Sequence, residues 1–313
     1  MVKGFWRDKI VRYLGLRPDC DGRVPLPMTQ VFELTRPERR TTSVVFASPH
    51  SGRGYPKAFL DRADLDAHAI RSSEDAYVDL LFDCAPAHGA PFLRAHASRA
   101  FVDLNRAADE LDPALIEGVR RPVHNPRVAS GLGVIPRVVA GGRAIHRGRI
   151  ALSEAQGRID GYWRPYHDAL QQLLAESHAR FGEAILIDCH SMPHEAIEAV
   201  GTAGAPRPDV VLGDRFGAAA STAVVDRIEA AFTAAGLRVS RNMPFAGAYI
   251  VQHYGRPSRR QHAVQVEIDR SLYMDERSVE PLPTFEDFRR RLAGIVAELT
   301  GIGRPEEAQV AAE

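Results

Sequence analysis

Apolar residues recur along the chain in short runs separated by longer stretches of helical spacing. Strand-like runs fall at 43–47, 91–95, 100–104, 184–188, 209–212, 237–240, 248–252 and 263–268. Between them, residues 76–87 place Val78, Leu81, Phe82 and Ala85 on one helical face. Residues 153–181 carry Ile159, Trp163, Tyr166, Leu170 and Leu174 at helical steps behind a Ser153/Gln156 capping-box pattern. Residues 218–235 and 285–299 read the same way. Strands alternating with helices predict a three-layer α/β fold, with a mostly parallel or mixed central sheet flanked by helices. Residues 118–148, rich in Gly and Pro and nearly without periodicity, predict a long functional loop forming a lid or pocket wall. Residues 201–208 predict a second loop. With no internal repeat and no low-complexity tract, the chain is expected to form a single domain over 28–313, residues 1–27 being a peripheral N-terminal extension.

Composition narrows the function classes. Forty basic and forty acidic residues cancel over 313 positions, so no global field favours nucleic acid. Cys20, Cys84 and Cys189 form no CxxC pair and no disulfide framework, which fits a reducing, cytoplasmic setting. No apolar run approaches membrane-spanning length, and the charged first residues lack a signal-peptide core.

Two segments carry the chemistry. "VVFASPHSG" and "ILIDCHSMP" each run an apolar strand into a histidine, His50 and His190. In an open α/β sheet, ligands bind beyond the carboxyl ends of strands. Two imidazoles on rigid platforms with one carboxylate, leaving a position open for water, suit a hydrolytic zinc site. Glu74 and Asp75 in "RSSEDAYVDLL" offer the acid, though an acidic pair also suits a helix N-terminus. Asp188 is placed to orient an imidazole from behind. In "SRAFVDLNR", Asp103, Asn105 and Arg106 are the polar positions, and an Arg fork with an adjacent amide suits a carboxylate; Arg99 is a second candidate. In "HAVQVEIDRSLYMDE", Glu267 is a candidate general base and Tyr273 a candidate donor to a carboxylate or oxyanion. Ser51 and Ser191 lack the nucleophile elbow, Cys189 is blunted by Asp188, and no phosphate-binding glycine motif is present.

Together the blocks "SPHSGRGYP", "SSEDAYVDLLF", "SRAFVDLNR", "RPYHDAL", "LIDCHSMP", "DVVLGDRFG", "FAGAYIVQHYGRP" and "VQVEIDRSLYM" resemble the N-formylglutamate amidohydrolase (N-formylglutamate deformylase) family from about Val44 to Tyr273. The resemblance implies a zinc-dependent hydrolase, or one using another divalent metal, related in fold to zinc carboxypeptidases and aspartoacylases (phosphorylase/hydrolase-like). It implies release of formate and glutamate from the small molecule N-formyl-L-glutamate, in histidine degradation. It also implies His50, Asp75 and His190 as metal ligands, with Glu74 as the alternative acid, Asn105 and Arg106 as a carboxylate clamp, and Glu267 as general base. Arg137, Arg143, Arg147 and Arg256 are candidates for a second carboxylate site. Rival readings are a zinc peptidase or amidase working on peptides or cell-wall fragments in an open groove, and a non-catalytic binding protein keeping the fold.

Overall fold

The computed structural model describes residues 30–119, 125–198 and 207–305. The expected extension over 1–27 and most of the expected loop over 201–208 lie outside them. Seven strands, β1 (Phe32–Thr35), β2 (Val44–Ser48), β3 (Phe92–Ala95), β4 (Ala184–Met192), β5 (Val210–Gly213), β6 (Val239–Arg241) and β7 (Gln261–Asp269), form one sheet in the order β1-β3-β2-β4-β7-β5-β6. The central strands β3, β2, β4 and β7 run parallel, while β1 is antiparallel to β3, and β5 is antiparallel to β7. The mixed sheet between helices is the expected α/β architecture.

All nine residues of β4 are buried because helices cover both faces of the sheet. Ile185, Ile187 and Cys189 face one layer with Val44, Phe46, Val264 and Val266, under α3 (Thr222–Ala234) and α5 (Phe285–Ile302). Leu186 and Ala184 face the other, with Val45, Ala47, Ala263 and the Tyr166, Leu170 and Leu174 stripe of α2 (Arg164–Phe181). The two-residue period then sends Asp188 and His190 to the α2 side. On β7 it sends Gln265 and Glu267 to that same side.

Three local expectations are corrected, and one strand is added. Residues 100–104 form turns, with Phe101 and Val102 N–H groups both donating to Ser98 O. Residues 248–252 belong to α4 (Tyr249–Tyr254), whose buried Ile250, Val251 and Tyr254 fit one helical face. The edge strand β1 has no counterpart among the expected apolar runs. The capping box at Ser153 does not form: α1 (Leu152–Arg158) starts after Ala151, and Gln156 reaches forward to Asp160 instead. A π-helical segment, Ile159–Trp163, joins α1 to α2, which ends at left-handed Gly182.

Two histidines, His167 buried and His146 half-buried, make the fold acid-sensitive. His167 of α2 contacts the Tyr254 hydroxyl and Leu104 O, both at 2.9 Å, and burial lowers its pKa to about 3. Burial, helped by the Arg158 charge, lowers His146 to about 4. Both are neutral when folded and titrate near 6.5 when unfolded. The unfolded chain therefore binds more protons below about pH 6.5, and stability falls as pH drops from there through the folded pKa values. Urea unfolding is expected to show a loss of roughly 4 kcal/mol between pH 7 and pH 5, at about 1.4 kcal/mol per pH unit per histidine below about pH 6.5. His167→Gln, which keeps a donor and an acceptor, should remove about half of that slope. An unchanged slope would assign the effect to other groups.

Candidate functional site

The site is assembled from three segments. After β2, the chain turns sharply through Pro49-His50-Ser51-Gly52, and Ser48 Oγ donates to Ser51 Oγ at 2.8 Å. Gly52 passes so close to the neighbouring segment that a Cβ there would lie 2.1 Å from Ala97 O, so only glycine allows this turn. His190 lies within β4 rather than beyond its end, since pairing with β7 continues to Met192 and sets His190 opposite Glu267. Asp75 arrives on a loop whose own backbone is hung on the first histidine, Asp75 N–H donating to His50 O at 3.0 Å. Left-handed Tyr77 then turns the chain into the short helix Val78–Leu81.

His50 Nδ1, Asp75 Oδ2 and His190 Nδ1 converge. Asp75 Oδ2 lies 3.7 Å from the former nitrogen and 2.9 Å from the latter, and all three donor atoms fall within 4.8 Å of one another. These spacings bracket the ~3.3 Å expected between tetrahedral ligands at roughly 2.0–2.1 Å from zinc. The outward nitrogens are both occupied: His50 Nε2 lies 2.7 Å from Asp103 Oδ1, and His190 Nε2 lies 3.1 Å from Asp188 Oδ2. Carboxylates on the far nitrogens fix the tautomer that leaves Nδ1 as a lone-pair donor. His50 Nδ1 is buried without a hydrogen-bond partner, as a ligand nitrogen awaiting a cation would be. The donor set fits a divalent metal.

Charges reinforce this arrangement. Burial opposes ionisation of Asp75, but its 2.9 Å contact with His190 and the charge of both histidines outweigh it and hold the carboxyl well below its usual range. Burial likewise opposes Asp103, where the charges of His50, Arg99 and Arg106 win. Glu267 is different. Burial raises it, the Asp75 charge adds to that, and His190 only partly offsets them. Gln265 Nε2 donates to Glu267 Oε1 at 2.6 Å, leaving the other oxygen for chemistry. The Cys189 thiol faces the opposite layer and is pushed well up by burial and the Asp188 charge.

A cavity of about 580 Å³ opens over these groups, a size suited to a small molecule. Of the residues singled out from the sequence, His50, Asp75, Arg99, Asn105, Arg106, His190 and Glu267 line it. Glu74 points elsewhere, held by Arg71 at 3.1 Å and by the Tyr55 hydroxyl. Asn105 is engaged at both ends of its amide, accepting from Ile250 N–H at 2.7 Å and donating to Asp188 Oδ2 at 3.4 Å. Tyr273 is fully buried against Phe285 and Phe288 and is not part of the cavity lining. Arg137, Arg147 and Arg256 are absent from the lining: Arg137 pairs with Asp112 at 2.8 Å, Arg147 with Asp64 at 3.4 Å, and Arg256 donates to Gln252 O at 2.9 Å. Arg143 is also absent and donates to Ser72 Oγ at 2.9 Å.

Sequence reasoning missed Arg270. Its Nη2 donates to Asp75 Oδ1 at 2.9 Å and its Nε to Ser191 Oγ at 3.1 Å, so it clamps the acid's other oxygen. The available signal was its position three residues beyond Glu267, at the end of the strand beside His190. Asp103 counts in the sequence only as a polar position within the strand-like run 100–104, because its link to His50 spans 53 positions.

Residues 42–274 match the N-formylglutamate amidohydrolase family. The chain is 30% identical over 269 residues to an N-formylglutamate deformylase of Pseudomonas aeruginosa, covering 84% of this chain and 92% of that one. It is 28% identical over 263 residues to an N-formylglutamate deformylase of Pseudomonas putida, covering 82% and 90%. The crystal structure of an N-formylglutamate amidohydrolase from Ralstonia eutropha JMP134 superposes with a TM-score of 0.82 at 34% identity, covering 87% of this chain and 98% of that one.

Proposed function

Because the chain belongs to the N-formylglutamate amidohydrolase family, we propose that it hydrolyses N-formyl-L-glutamate to formate and L-glutamate, with a divalent ion, zinc, at the three-residue centre. The place of that reaction in histidine degradation, and in the cytoplasm, is part of the same reading. The observation that carries it is the convergence of two Nδ1 atoms and Asp75 Oδ2 beside a buried Glu267, in an arginine-bearing cavity.

His50, Asp75 and His190 would hold the ion. When bound, it supplies Lewis acidity that polarises the formyl oxygen and eases deprotonation of water. Glu267 takes the proton of the attacking water at its free carboxylate oxygen, with Gln265 fixing the other. As the C–N bond breaks, Glu267 returns that proton to the departing nitrogen, so glutamate leaves as a neutral amine. Burial raises the Glu267 pKa and so strengthens the base. Arg99 and Arg106 receive the α-carboxylate and hold the amide in line, while Asn105 steadies Asp188 beneath His190.

The test is hydrolysis of N-formyl-L-glutamate, N-acetyl-L-glutamate and N-formyl-L-norvaline, each with and without a chelator. The formylated glutamate is expected to be cleaved fastest, with activity lost on chelation and regained on adding zinc. Turnover insensitive to the chelator, or none with any N-formyl substrate, overturns the reading.

A further inference from the structure

Arg127 lines the same cavity and stands apart from the other arginines. It is exposed at the rim, on the short helix Pro126–Ala129 within the expected loop over 118–148. Among the described residues its guanidinium has no hydrogen-bond or ion-pair partner, although its backbone is tightly held. Arg127 N–H donates to Asn125 Oδ1 at 3.0 Å, and Asn125 Nδ2 donates to Glu110 Oε2 at 3.2 Å. Glu110 Oε1 accepts from Ala107 N–H at 3.0 Å, next to Arg106. On the return path, Arg106 Nε donates to Leu132 O and Leu132 N–H to Arg127 O, both at 2.9 Å.

This closed ring of hydrogen bonds ties Arg127 to Arg106 through fixed backbone. Gly133 allows the tie, since a Cβ there would lie 2.4 Å from Glu110 O. Like charges held near one another are unfavourable without a counterion. Burial destabilises the Arg106 cation; Asp103 opposes that, and the charges of Arg99 and Arg127 add to it. The acids nearby are already engaged: Asp103 with His50 and Arg99, Glu110 with Ala107 and Asn125. The cationic wall also has a direction. Arg99 feels the charges of Asp75 and Glu267 at the reacting centre, Arg106 feels instead those of Asp103, Arg99, Arg127 and Glu110, and Arg127 is exposed at the cavity edge.

We infer that Arg127 is the specificity residue of this site, binding the side-chain carboxylate of an acidic N-acyl amino acid whose α-carboxylate lies on Arg99 and Arg106. The assignment rests on the proposed function. With the scissile amide at the centre, the α-carboxylate is the nearer anion and the side-chain carboxylate the farther, matching the order of the three cations. The enzyme thus selects dicarboxylates by an anion needed to complete its own wall.

The experiment compares N-formyl-L-glutamate with its neutral isostere N-formyl-L-glutamine in the wild type, Arg127→Gln and Arg127→Lys. In Arg127→Gln, kcat/KM for the acidic substrate is expected to fall about 30-fold, mainly through KM, as loss of a charge-assisted contact implies. The neutral substrate should change by less than about threefold. Arg127→Lys should recover part of the preference. Calorimetric binding of glutarate to wild type and Arg127→Gln adds a readout without turnover, with the same weakening expected. Equal losses on both substrates, or unchanged glutarate affinity, overturn the inference. If the wild type cleaves no N-formyl substrate, the proposed function fails while the glutarate comparison still decides the role of Arg127.

Discussion

Glu267→Gln is expected to fold, to bind its metal, and to turn over N-formyl-L-glutamate on the order of 10³-fold more slowly. Glutamine has the shape of glutamate and still offers an oxygen to Gln265 Nε2, so the pairing of β7 with β4 is kept. What it lacks is a site for the water's proton and a source for the leaving nitrogen's. The defect should therefore appear in kcat at unchanged zinc stoichiometry. The pH profile gives an independent check. On the proposed mechanism only the ionised carboxylate of Glu267 acts as base, and burial raises its pKa. Wild-type kcat/KM should then fall as pH drops through a value above the ordinary carboxylate range, and this limb should vanish from the residual activity of the variant. A kcat within fivefold of wild type would place the base elsewhere.

Asp75→Asn should have two separable effects. Loss of a liganding carboxylate should weaken zinc binding by more than the ~10–100-fold typical of the groups behind a ligand. Stability should also fall in the metal-free protein, because Arg270 is buried and makes its 2.9 Å ion pair with Asp75 Oδ1. An asparagine there leaves the guanidinium opposite a neutral oxygen, and breaking one side of a buried pair costs about 3 kcal/mol. Urea unfolding with chelator present measures the second effect, and metal analysis the first. Glu74→Gln is the control for the neighbouring acid: its partners are Arg71 and Tyr55, so zinc content should stay stoichiometric. Full zinc occupancy in Asp75→Asn would remove Asp75 from the ligand set.

The central strands were legible because a sheet covered on both faces writes itself as unbroken apolar runs, as in Val44–Phe46 and Ile185–Ile187. The periphery was less so. Residues 249–254 show how a short apolar run fits either period, since Ile250, Val251 and Tyr254 share a helical face that five residues cannot distinguish from a strand. Val102 and Leu104 are buried as their alternation suggested, yet Asp103 N–H pairs with Val134 O across a turn rather than along a ladder. At the site, the residues found from sequence stood beside apolar runs or within compact polar motifs. Arg270 and Arg127 were missed because their roles depend on contacts across 195 positions of sequence, from Arg270 to Asp75, and on a ring of loop hydrogen bonds. The four loop arginines chosen for a second carboxylate site could not be told from Arg127 by composition; only the direction each takes in space separates them.

The docking of residues 125–134 onto 103–112 sets terms for how such an enzyme can diversify. On the proposed function, the groups that break the bond stand on strands or lean on them, where each replacement disturbs several others. Arg127, the residue inferred to read the side chain, stands on a surface loop and touches none of them. A descendant can therefore change its diet by one replacement at 127 while inheriting its catalyst intact. Position 133 has no such licence, because any side chain there would meet Glu110 O and lift the whole reading loop from the wall it helps to build.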